Sequence, residues 1–276
     1  MQTKPCIASS TAAAAASPSI RNPLHRPSLH LHLALACGLL LLAAPCARAE
    51  QPLPWQHSRQ LLLVLAADWD SVPATLQRYA RQEDSQPWRP VGEPIAVSLG
   101  RSGQGWGRGL HPADAPLAGE PDKHEGDGRA PTGMYALGNI FAYDPREVPG
   151  ADMPLVAVTP DLVCVDDVAS RHYNTILSNS TTAVDWTSAE AMLREDGLYR
   201  YGVVVAHNQT PAQPGDGSCI FMHVARGPGA PTAGCTAMDQ EAIRHLLLWL
   251  NPTADPVLAQ FPRTVYERVR QAWQLP

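Results

Sequence analysis

The chain of 276 residues is 45% hydrophobic and 17% charged, with a formal net charge of −5. This balance excludes an intrinsically disordered chain, which would combine low hydrophobicity with a large net charge. It also argues against a nucleic-acid-binding protein, because such proteins carry clustered basic residues for the phosphates. The length corresponds to one or two domains.

The first 49 residues have the organisation of a secretory signal peptide. Two arginines precede an apolar segment from Leu29 to Ala44, and an Ala-Arg-Ala triplet follows at 47–49. A basic flank, a short apolar core and an A-x-A site predict cleavage after Ala49. A retained membrane anchor is the alternative, but the apolar segment is shorter than the ~20 residues that a span needs. We therefore expect secretion across the inner membrane into the periplasm, with one mature domain at residues 50–276.

The mature region is predicted to be rich in β-strands. Apolar runs or alternating polar and apolar residues predict six strands: Gln60–Ala66, Ile95–Leu99, Leu155–Thr159, Leu162–Val165, Tyr201–His207 and Cys219–Val224. Residues 100–132 are dense in Gly, Pro, Asp and His, which predicts one or two long loops. Loops of that length in a compact domain are usually functional or disordered.

Three helices are predicted from capping residues and helical spacing. Ser71 is expected to cap a helix that reaches Ala80, with Pro73 in its first turn. The sequence Thr-Ser-Ala-Glu at 187–190 matches a capping box that would begin a second helix. Apolar residues at helical spacing predict a third over 238–250, with Thr236 as its cap. With no internal repeat and no second domain boundary, the fold class is α+β, rich in β-strands, with a few short helices.

Three cysteines remain after cleavage at Ala49, namely Cys164, Cys219 and Cys235. An odd number in an exported protein predicts one disulfide and one thiol with a function of its own. The chain contains no CxxC or HExxH motif and no comparable ligand spacing, so no metal site is predicted.

The segment around Cys235 combines the residues of a cysteine nucleophile. His223 lies near the end of a predicted strand, and a Gly/Pro/Ala-rich turn leads to Gly234 and Cys235. If a helix begins at Thr236, its amides and macrodipole would lower the pKa of the Cys235 thiol. Backbone amides at Gly234 and Thr236 would then stabilise an oxyanion, and His223 would serve as the base.

The alternative is a buried, inert cysteine beside a core histidine, since free cysteines are often buried. The order His223 before Cys235 disfavours papain-like hydrolases, in which the cysteine comes first.

Two sequence blocks resemble those of one enzyme family. His223 followed by Thr-Ala-Gly-Cys at 232–235 resembles the catalytic motif of the L,D-transpeptidases, the YkuD-like cell-wall enzymes. Residues 123–135 resemble the family's upstream segment K-x-E-G-D-G-x-x-P-x-G-x-Y. The resemblance extends over about residues 90–250 and implies a YkuD-like mixed β-sheet or sandwich domain.

The sequence departs from the family pattern at three points. Ala233 stands where the family has a second His, Thr-Ala-Met at 236–238 replaces Arg-x-Asn, and the spacer after His223 is shorter. These departures resemble a divergent branch of the family, and they leave the nucleophile intact.

The resemblance implies a mechanism that needs no metal or organic cofactor. Cys235 attacks an L-to-D peptide bond of a peptidoglycan stem, typically between diaminopimelate and D-Ala, while His223 accepts and returns the proton. Gly234 gives the backbone room to turn beside the oxyanion. An acceptor amine then resolves the thioester into a cross-link, whereas water would give an L,D-carboxypeptidase or a cysteine amidase.

Five further residues are predicted to contact substrate or to orient the catalytic pair. Thr232 is expected to orient His223 or the substrate, and Thr236 to contribute beside the nucleophile. His207 and Asn208 end a predicted strand, so they point either into the cleft or into solvent. Arg171 would hold a stem carboxylate, or else belongs to an ordinary surface loop.

The remaining predictions concern structure and partners. A Cys164–Cys219 disulfide is expected, because both residues lie in candidate strands and the pairing leaves Cys235 free. Glu125 and Asp127 are expected to accept backbone amides in a tight turn. The predicted partners are peptidoglycan stem peptides, with no nucleic acid and no membrane span after cleavage. Two alternatives without catalysis are a cell-wall binding module and an exported structural protein in which the Gly-Cys motif is a coincidence.

Overall fold

A computed structural model describes residues 52–209 and 211–276. The signal peptide predicted at residues 1–49 lies outside this range. Within these described ranges the chain forms thirteen strands: β1 Gln60–Ala66, β2 Pro73–Ala80, β3 Arg89–Ser98, β4 Gln104–Trp106, β5 Ala130–Ala142, β6 Leu155–Ala157, β7 Leu162–Val165, β8 Ile176–Ser178, β9 Ala189–Ala191, β10 Tyr201–Val205, β11 Phe221–Val224, β12 Thr236–Met238 and β13 Val257–Pro262. Two α-helices, α1 Gln240–Trp249 and α2 Arg263–Val269, accompany two short 3-10 helices at Pro145–Glu147 and Pro252–Ala254.

The main sheet closes on itself as a barrel. Its strands follow the order β10-β11-β12-β3-β2-β1-β13-β5, and β5 pairs back onto β10. Short strands β4 and β6 pair in parallel with the two ends of β5. The predicted class, α+β and rich in β-strands, is confirmed. The mixed sheet implied by the resemblance is present, and it forms a closed barrel rather than a sandwich.

Strand β1 shows why the barrel forms here. Its residues from Leu61 to Val64 are all buried, because alternate side chains enter two different cores. Leu62 and Val64 join the core that includes Ile243 and Leu246 of α1. Leu61 and Leu63 join the core that includes Val265 and Val269 of α2. A strand that is covered on both faces requires the continuous apolar run that the sequence has.

Helix α1 begins two residues later than predicted. Asp239 is its N-cap, and the Asp239 side chain accepts a hydrogen bond from the backbone N–H of Glu241 at 2.9 Å. Residues Thr236 to Met238 instead form strand β12, which pairs in parallel with β11. The prediction that Thr236 caps the helix is therefore wrong.

The other two predicted helices are strands. Residues Pro73–Ala80 form β2, which lies between β1 and β3, so sheet pairing on both sides overrides the local capping signal. Ser71 donates its hydroxyl to Asp68 at 2.6 Å instead of capping a helix. In the segment after Thr187, residues 189–191 form β9, and the Thr187 N–H and hydroxyl both bind the Asp167 carboxylate.

A second, small sheet of three strands has the order β8-β7-β9. The predicted disulfide between Cys164 of β7 and Cys219 is confirmed, with a Cα–Cα distance of 6.0 Å. Cys219 lies two residues before β11, so the disulfide joins the small sheet to the start of a barrel strand. In the described part of the chain, neither α-helix has the length and apolar character needed to cross a membrane.

Candidate active site

Strands β11 and β12 bring Cys235 and His223 to the same face of the sheet. The parallel register pairs His223 with Ala237 and Met222 with Thr236, so Cys235 lies level with Phe221. Side chains alternate between faces along a strand, which places Phe221, His223 and Cys235 together. The site is therefore built on paired strands, and the predicted position of Cys235 at a helix N-terminus is wrong.

The Cys235 thiol is buried and hydrogen-bonded to backbone. Its Sγ accepts the N–H of Phe221 at 3.3 Å and donates to the carbonyl oxygen of Cys219 at 3.6 Å. Burial raises the pKa of the Cys235 thiol to about 12, and the nearby Glu190 carboxylate acts in the same direction. The pKa is therefore raised, and the helix-based prediction of a lowered pKa for the Cys235 thiol is wrong.

The His223 ring has a fixed tautomer. Its Nδ1 lies 2.8 Å from the carbonyl oxygen of Val224, and a carbonyl can only accept, so Nδ1 carries the proton. The lone pair of the neutral ring is then on Nε2. Burial lowers the pKa of His223 to about 4. The edge-to-face contact with Tyr199, at 5.2 Å between ring centroids, holds the plane of the imidazole.

The turn before Cys235 is held by Thr232. Its hydroxyl donates to the carbonyl oxygen of Cys235 at 2.7 Å and accepts the N–H of Gly234 at 3.1 Å. Gly234 has a φ of +152°, and a Cβ there would lie 3.0 Å from the carbonyl oxygen of Arg129. A side chain at this position would therefore be strained and crowded, which explains the glycine. Thr232 holds the turn before Cys235 through these bonds.

One cavity of about 480 Å³ contains the predicted catalytic residues. Four predicted site residues contribute to its wall: Thr232, Gly234, Cys235 and His223. Charged and aromatic residues from other parts of the chain also line it: Arg101, Lys123 and Glu125 of the long loop, Asp166 and Glu190 of the small sheet region, Arg194 and Tyr199 before β10, and Arg226 after β11. Sequence analysis missed Glu190, Arg194 and Tyr199 as cavity residues, because no motif surrounds them. Lys123 and Glu125 lie in the upstream motif, which was the available signal.

The upstream motif forms a braced turn at the edge of this cavity. Asp127 accepts the backbone N–H groups of His124 and Arg129 and also binds the Lys123 ammonium at 2.7 Å. The structural role predicted for Asp127 is confirmed. Glu125 instead accepts the hydroxyls of Tyr173 and Ser218, so its carboxylate ties the turn to neighbouring segments and not to amides.

His207 and Asn208 do not line the Cys235 cavity. The His207 ring uses both nitrogens, since Nδ1 accepts the N–H of Arg108 at 3.2 Å and Nε2 donates to the Asp216 carbonyl at 2.9 Å. The Asn208 side chain is bonded to the backbone of Gln213 and Gly217. Asn208 borders a separate cavity of about 570 Å³, which shares Lys123 with the first.

Two other predicted residues also lie away from the cavity. Thr236 is buried on the opposite face of β12, where its hydroxyl donates to Oε1 of Gln260 at 2.7 Å. Arg171 is exposed and forms an ion pair with Asp185 at 3.2 Å. In the described residues, the structure thus brings together four of the predicted site residues and separates the other four.

The described residues hold no cluster of three or more side chains suited to a metal ion.

Comparison with known proteins identifies one family. The family model of the YkuD L,D-transpeptidase catalytic domain matches residues 73–258, which is well over half of the chain. No curated protein and no solved structure matches the chain. Strand β1 and helix α2 lie outside the matched range, although both pack into the domain.

Proposed function

The chain belongs to the YkuD family of L,D-transpeptidase catalytic domains, and from that premise we propose that it is an exported, cysteine-dependent L,D-transpeptidase acting on peptidoglycan stem peptides. The observation that carries the proposal is the shared cavity. Cys235 and His223 meet there on one face of paired strands, with Nδ1 of His223 fixed as a donor. This shared cavity supports the assignment of Cys235 as the nucleophile and His223 as its general base.

The first half-reaction forms a thioester. As the Cys235 sulfur attacks the carbonyl carbon of the peptide, Nε2 of His223 takes the thiol proton. The Val224 carbonyl then stabilises the imidazolium through the Nδ1 hydrogen bond. The C–N bond breaks, the departing amine takes the proton from Nε2, and Cys235 retains the acyl group. Because the Cys235 thiol has a raised pKa and His223 a lowered one, this proton moves during attack and not before it.

The second half-reaction releases the acyl group. An acceptor amine attacks the thioester carbonyl and gives its proton to Nε2, the C–S bond breaks, and the sulfur recovers the proton as a thiol. The backbone N–H of Gly234 is already bound by Thr232. We therefore assign stabilisation of the oxyanion to the Cys235 N–H, immediately before β12.

The test is incubation of the purified protein with tetrapeptide muropeptides, beside a Cys235→Ala sample, with products identified by mass spectrometry. Transpeptidation gives a dimer that lacks one D-Ala, and this product is absent with Cys235→Ala. Cysteine-dependent release of D-Ala without dimers would assign the protein as an L,D-carboxypeptidase. An inert Cys235 with no product would contradict catalysis and favour a cell-wall binding module.

Location is part of the proposal. The basic flank, apolar segment and A-x-A site of residues 1–49 support export to the periplasm. Fractionation of cells that produce the full chain, with detection of a shortened protein in the periplasm, tests it. Recovery of an uncleaved chain in the cytoplasm would contradict it.

A further inference from the structure

Part of the long loop fills a gap in the pairing of strand β5. On the side of β5 away from β13, β4 pairs with residues 130–132 and β10 with residues 137–142. Between these two ranges, the Met134 carbonyl accepts the N–H of Leu110 at 2.7 Å, and the Met134 N–H donates to Nδ1 of His111 at 3.1 Å. The His111 ring therefore takes the place that a carbonyl of a neighbouring strand would have.

Two buried histidines hold a single peptide bond of this loop. The Gly107 carbonyl accepts a hydrogen bond from Nε2 of His111 at 3.0 Å, and the N–H of Arg108 donates to Nδ1 of His207 at 3.2 Å. The exposed fractions of His111 and His207 are 9% and 1%. The Tyr135 ring contacts both imidazoles edge to face, with centroid distances of 5.8 and 5.9 Å. The peptide unit between Gly107 and Arg108 is thus bound at both of its polar groups by histidine side chains.

Glycines make room for the two rings. A Cβ on Gly133, which has a φ of +141°, would lie 2.1 Å from Cε1 of His111. A Cβ on Gly107 would lie 2.7 Å from Nδ1 of His207. Both separations are far below van der Waals contact. The backbone on each side of the loop is therefore fitted to an imidazole and not to a smaller group.

Both imidazoles must be neutral to make these hydrogen bonds. In each ring Nδ1 accepts a backbone N–H, so the proton is on Nε2, which donates to the carbonyl of Gly107 in His111 and to that of Asp216, at 2.9 Å, in His207. A second proton would turn Nδ1 into a donor that faces another donor. Burial lowers the pKa of His111, and it lowers the pKa of His207 to about 3.

The charged groups around the rings also disfavour protonation. The Lys123 ammonium acts on His207 in this direction. The Asp216 carboxylate pairs with the Arg108 guanidinium at 3.3 Å, and no carboxylate of the described residues binds either ring. The Tyr135 hydroxyl donates to the Thr132 carbonyl, and burial raises its pKa, so it stays neutral. No described group thus stabilises a second proton on these histidines by direct contact.

The loop held by the histidines continues to the wall of the Cys235 cavity. Trp106, immediately before Gly107, donates its N–H to the Pro121 carbonyl at 2.7 Å and accepts the N–H of Lys123 at 2.8 Å. Lys123 lines both the Cys235 cavity and the neighbouring cavity of about 570 Å³. The position of this shared wall therefore depends on the segment that begins at Gly107.

We propose that His111 and His207 form an acid-released clamp, which holds residues 107–123 against the barrel only while both imidazoles are neutral. When the segment opens, each ring meets water and takes up one proton near its usual pKa of about 6.5. The stabilisation by two neutral rings is complete above that pH and is lost as the pH falls below it. Opening also frees Lys123 from its place in the cavity wall.

The experiment is hydrogen exchange of the mature protein, measured by mass spectrometry of peptides that cover residues 106–123 and α1. Exchange rates divided by the intrinsic rate at each pH give the opening constant of each segment. Between about pH 6 and about pH 5, uptake of two protons should raise the opening constant of residues 106–123 by roughly 50-fold. His111→Gln and His207→Gln each keep a neutral donor and acceptor but remove one titration, so the rise should fall to roughly sevenfold in each.

The matched control is His124→Gln. His124 is an exposed histidine beside the same segment, and its ring makes no hydrogen bond within the described chain. The control should keep the full rise of the wild type. A smaller rise in His124→Gln, or a full rise in both clamp variants, would overturn the proposal.

The peptides of α1 separate local release from unfolding of the whole domain. A local clamp predicts that residues 106–123 open more often than α1 at every pH. Equal opening constants in the two segments would show that the loop opens only with the domain and would overturn the clamp. Because the measurement needs no substrate, its outcome is independent of whether the protein is a transpeptidase.

Discussion

Two buried histidines on adjacent, antiparallel segments differ in how their ring nitrogens are hydrogen-bonded. His207 follows β10 and uses both ring nitrogens, one with the Arg108 amide and one with the Asp216 carbonyl. His223 lies in β11, donates from Nδ1 to the Val224 carbonyl and lines the Cys235 cavity. Burial lowers the pKa of both residues, to about 3 and about 4. Burial and pKa therefore do not distinguish the two histidines, whereas their hydrogen-bond partners do.

The largest expected effect is on turnover. His223→Asn should lower kcat/KM for Cys235-dependent D-Ala release by about 10²- to 10⁴-fold, the usual contribution of a general base. His207→Asn should lower it by less than about tenfold, because the ring does not line the cavity. Steady-state kinetics on folded variants measures both values. Equal losses for the two variants would remove the distinction between the histidines.

The next effect concerns the protonation of the Cys235 thiol and the His223 imidazole. Since the pKa of the Cys235 thiol is raised to about 12, its thiolate fraction grows about tenfold per pH unit below that value. Alkylation by iodoacetamide should therefore accelerate by about a thousandfold between about pH 8 and about pH 11, measured by mass spectrometry of the labelled protein. A preformed thiolate–imidazolium pair would instead give a rate that is flat across this range. Cys235→Ala provides the blank.

For the free energy of unfolding, substitution of His207 is expected to cost more than substitution of His223. His207→Asn leaves either the Arg108 N–H or the Asp216 carbonyl unpaired, which costs about 1–3 kcal/mol of unfolding free energy. His223→Asn keeps an amide donor near the position of Nδ1 for the Val224 carbonyl, so its loss should be at most about 0.5–1.5 kcal/mol. Urea unfolding measures both, and the exposed His245→Asn should lie near zero. A larger loss for His223→Asn than for His207→Asn would contradict the ranking.

The smallest effect is expected in the turn that joins His223 to Cys235. Thr232→Val removes the hydroxyl that binds the Gly234 N–H and the Cys235 carbonyl, at a cost of about 1 kcal/mol in unfolding free energy. Under the proposed mechanism these two hydrogen bonds also orient Cys235, so kcat should fall while KM changes little. Thr232→Ser should restore kcat. A rise in KM alone, or no rescue by serine, would indicate that Thr232 contacts substrate instead.

Several elements could be predicted because their pattern is local. The continuous apolar run of β1 and the strand Leu162–Val165 occur within the predicted bounds. The apolar spacing of α1 and the Cys164–Cys219 pairing are also confirmed. In the cavity, Cys235 and His223 come together as their motif predicts.

The elements that were missed depend on distant pairing. Strand β5 is the longest in the described chain, yet its sequence contains Pro131, Gly133 and Gly138, which usually signal turns. Pairing with β13, β10, β4 and β6 makes this segment a strand, although its local propensity does not favour one. Likewise, the residues after Cys235 have a helical capping pattern, but pairing with β11 makes them a strand. In both segments, pairing between strands that are distant in sequence determines the secondary structure.

The pairing of β1 with β13 sets the order in which the domain can be completed during synthesis. Leu61, near the beginning of the described chain, is paired with Val257, near its end. Until β13 has left the ribosome, β1 and β5 each expose an unpaired edge, which is a template for association with other chains. A product that ends before Val257 should therefore aggregate rather than fold as a shortened domain. Contacts between such distant parts of a chain also form slowly, so the barrel is the last part of the molecule to close.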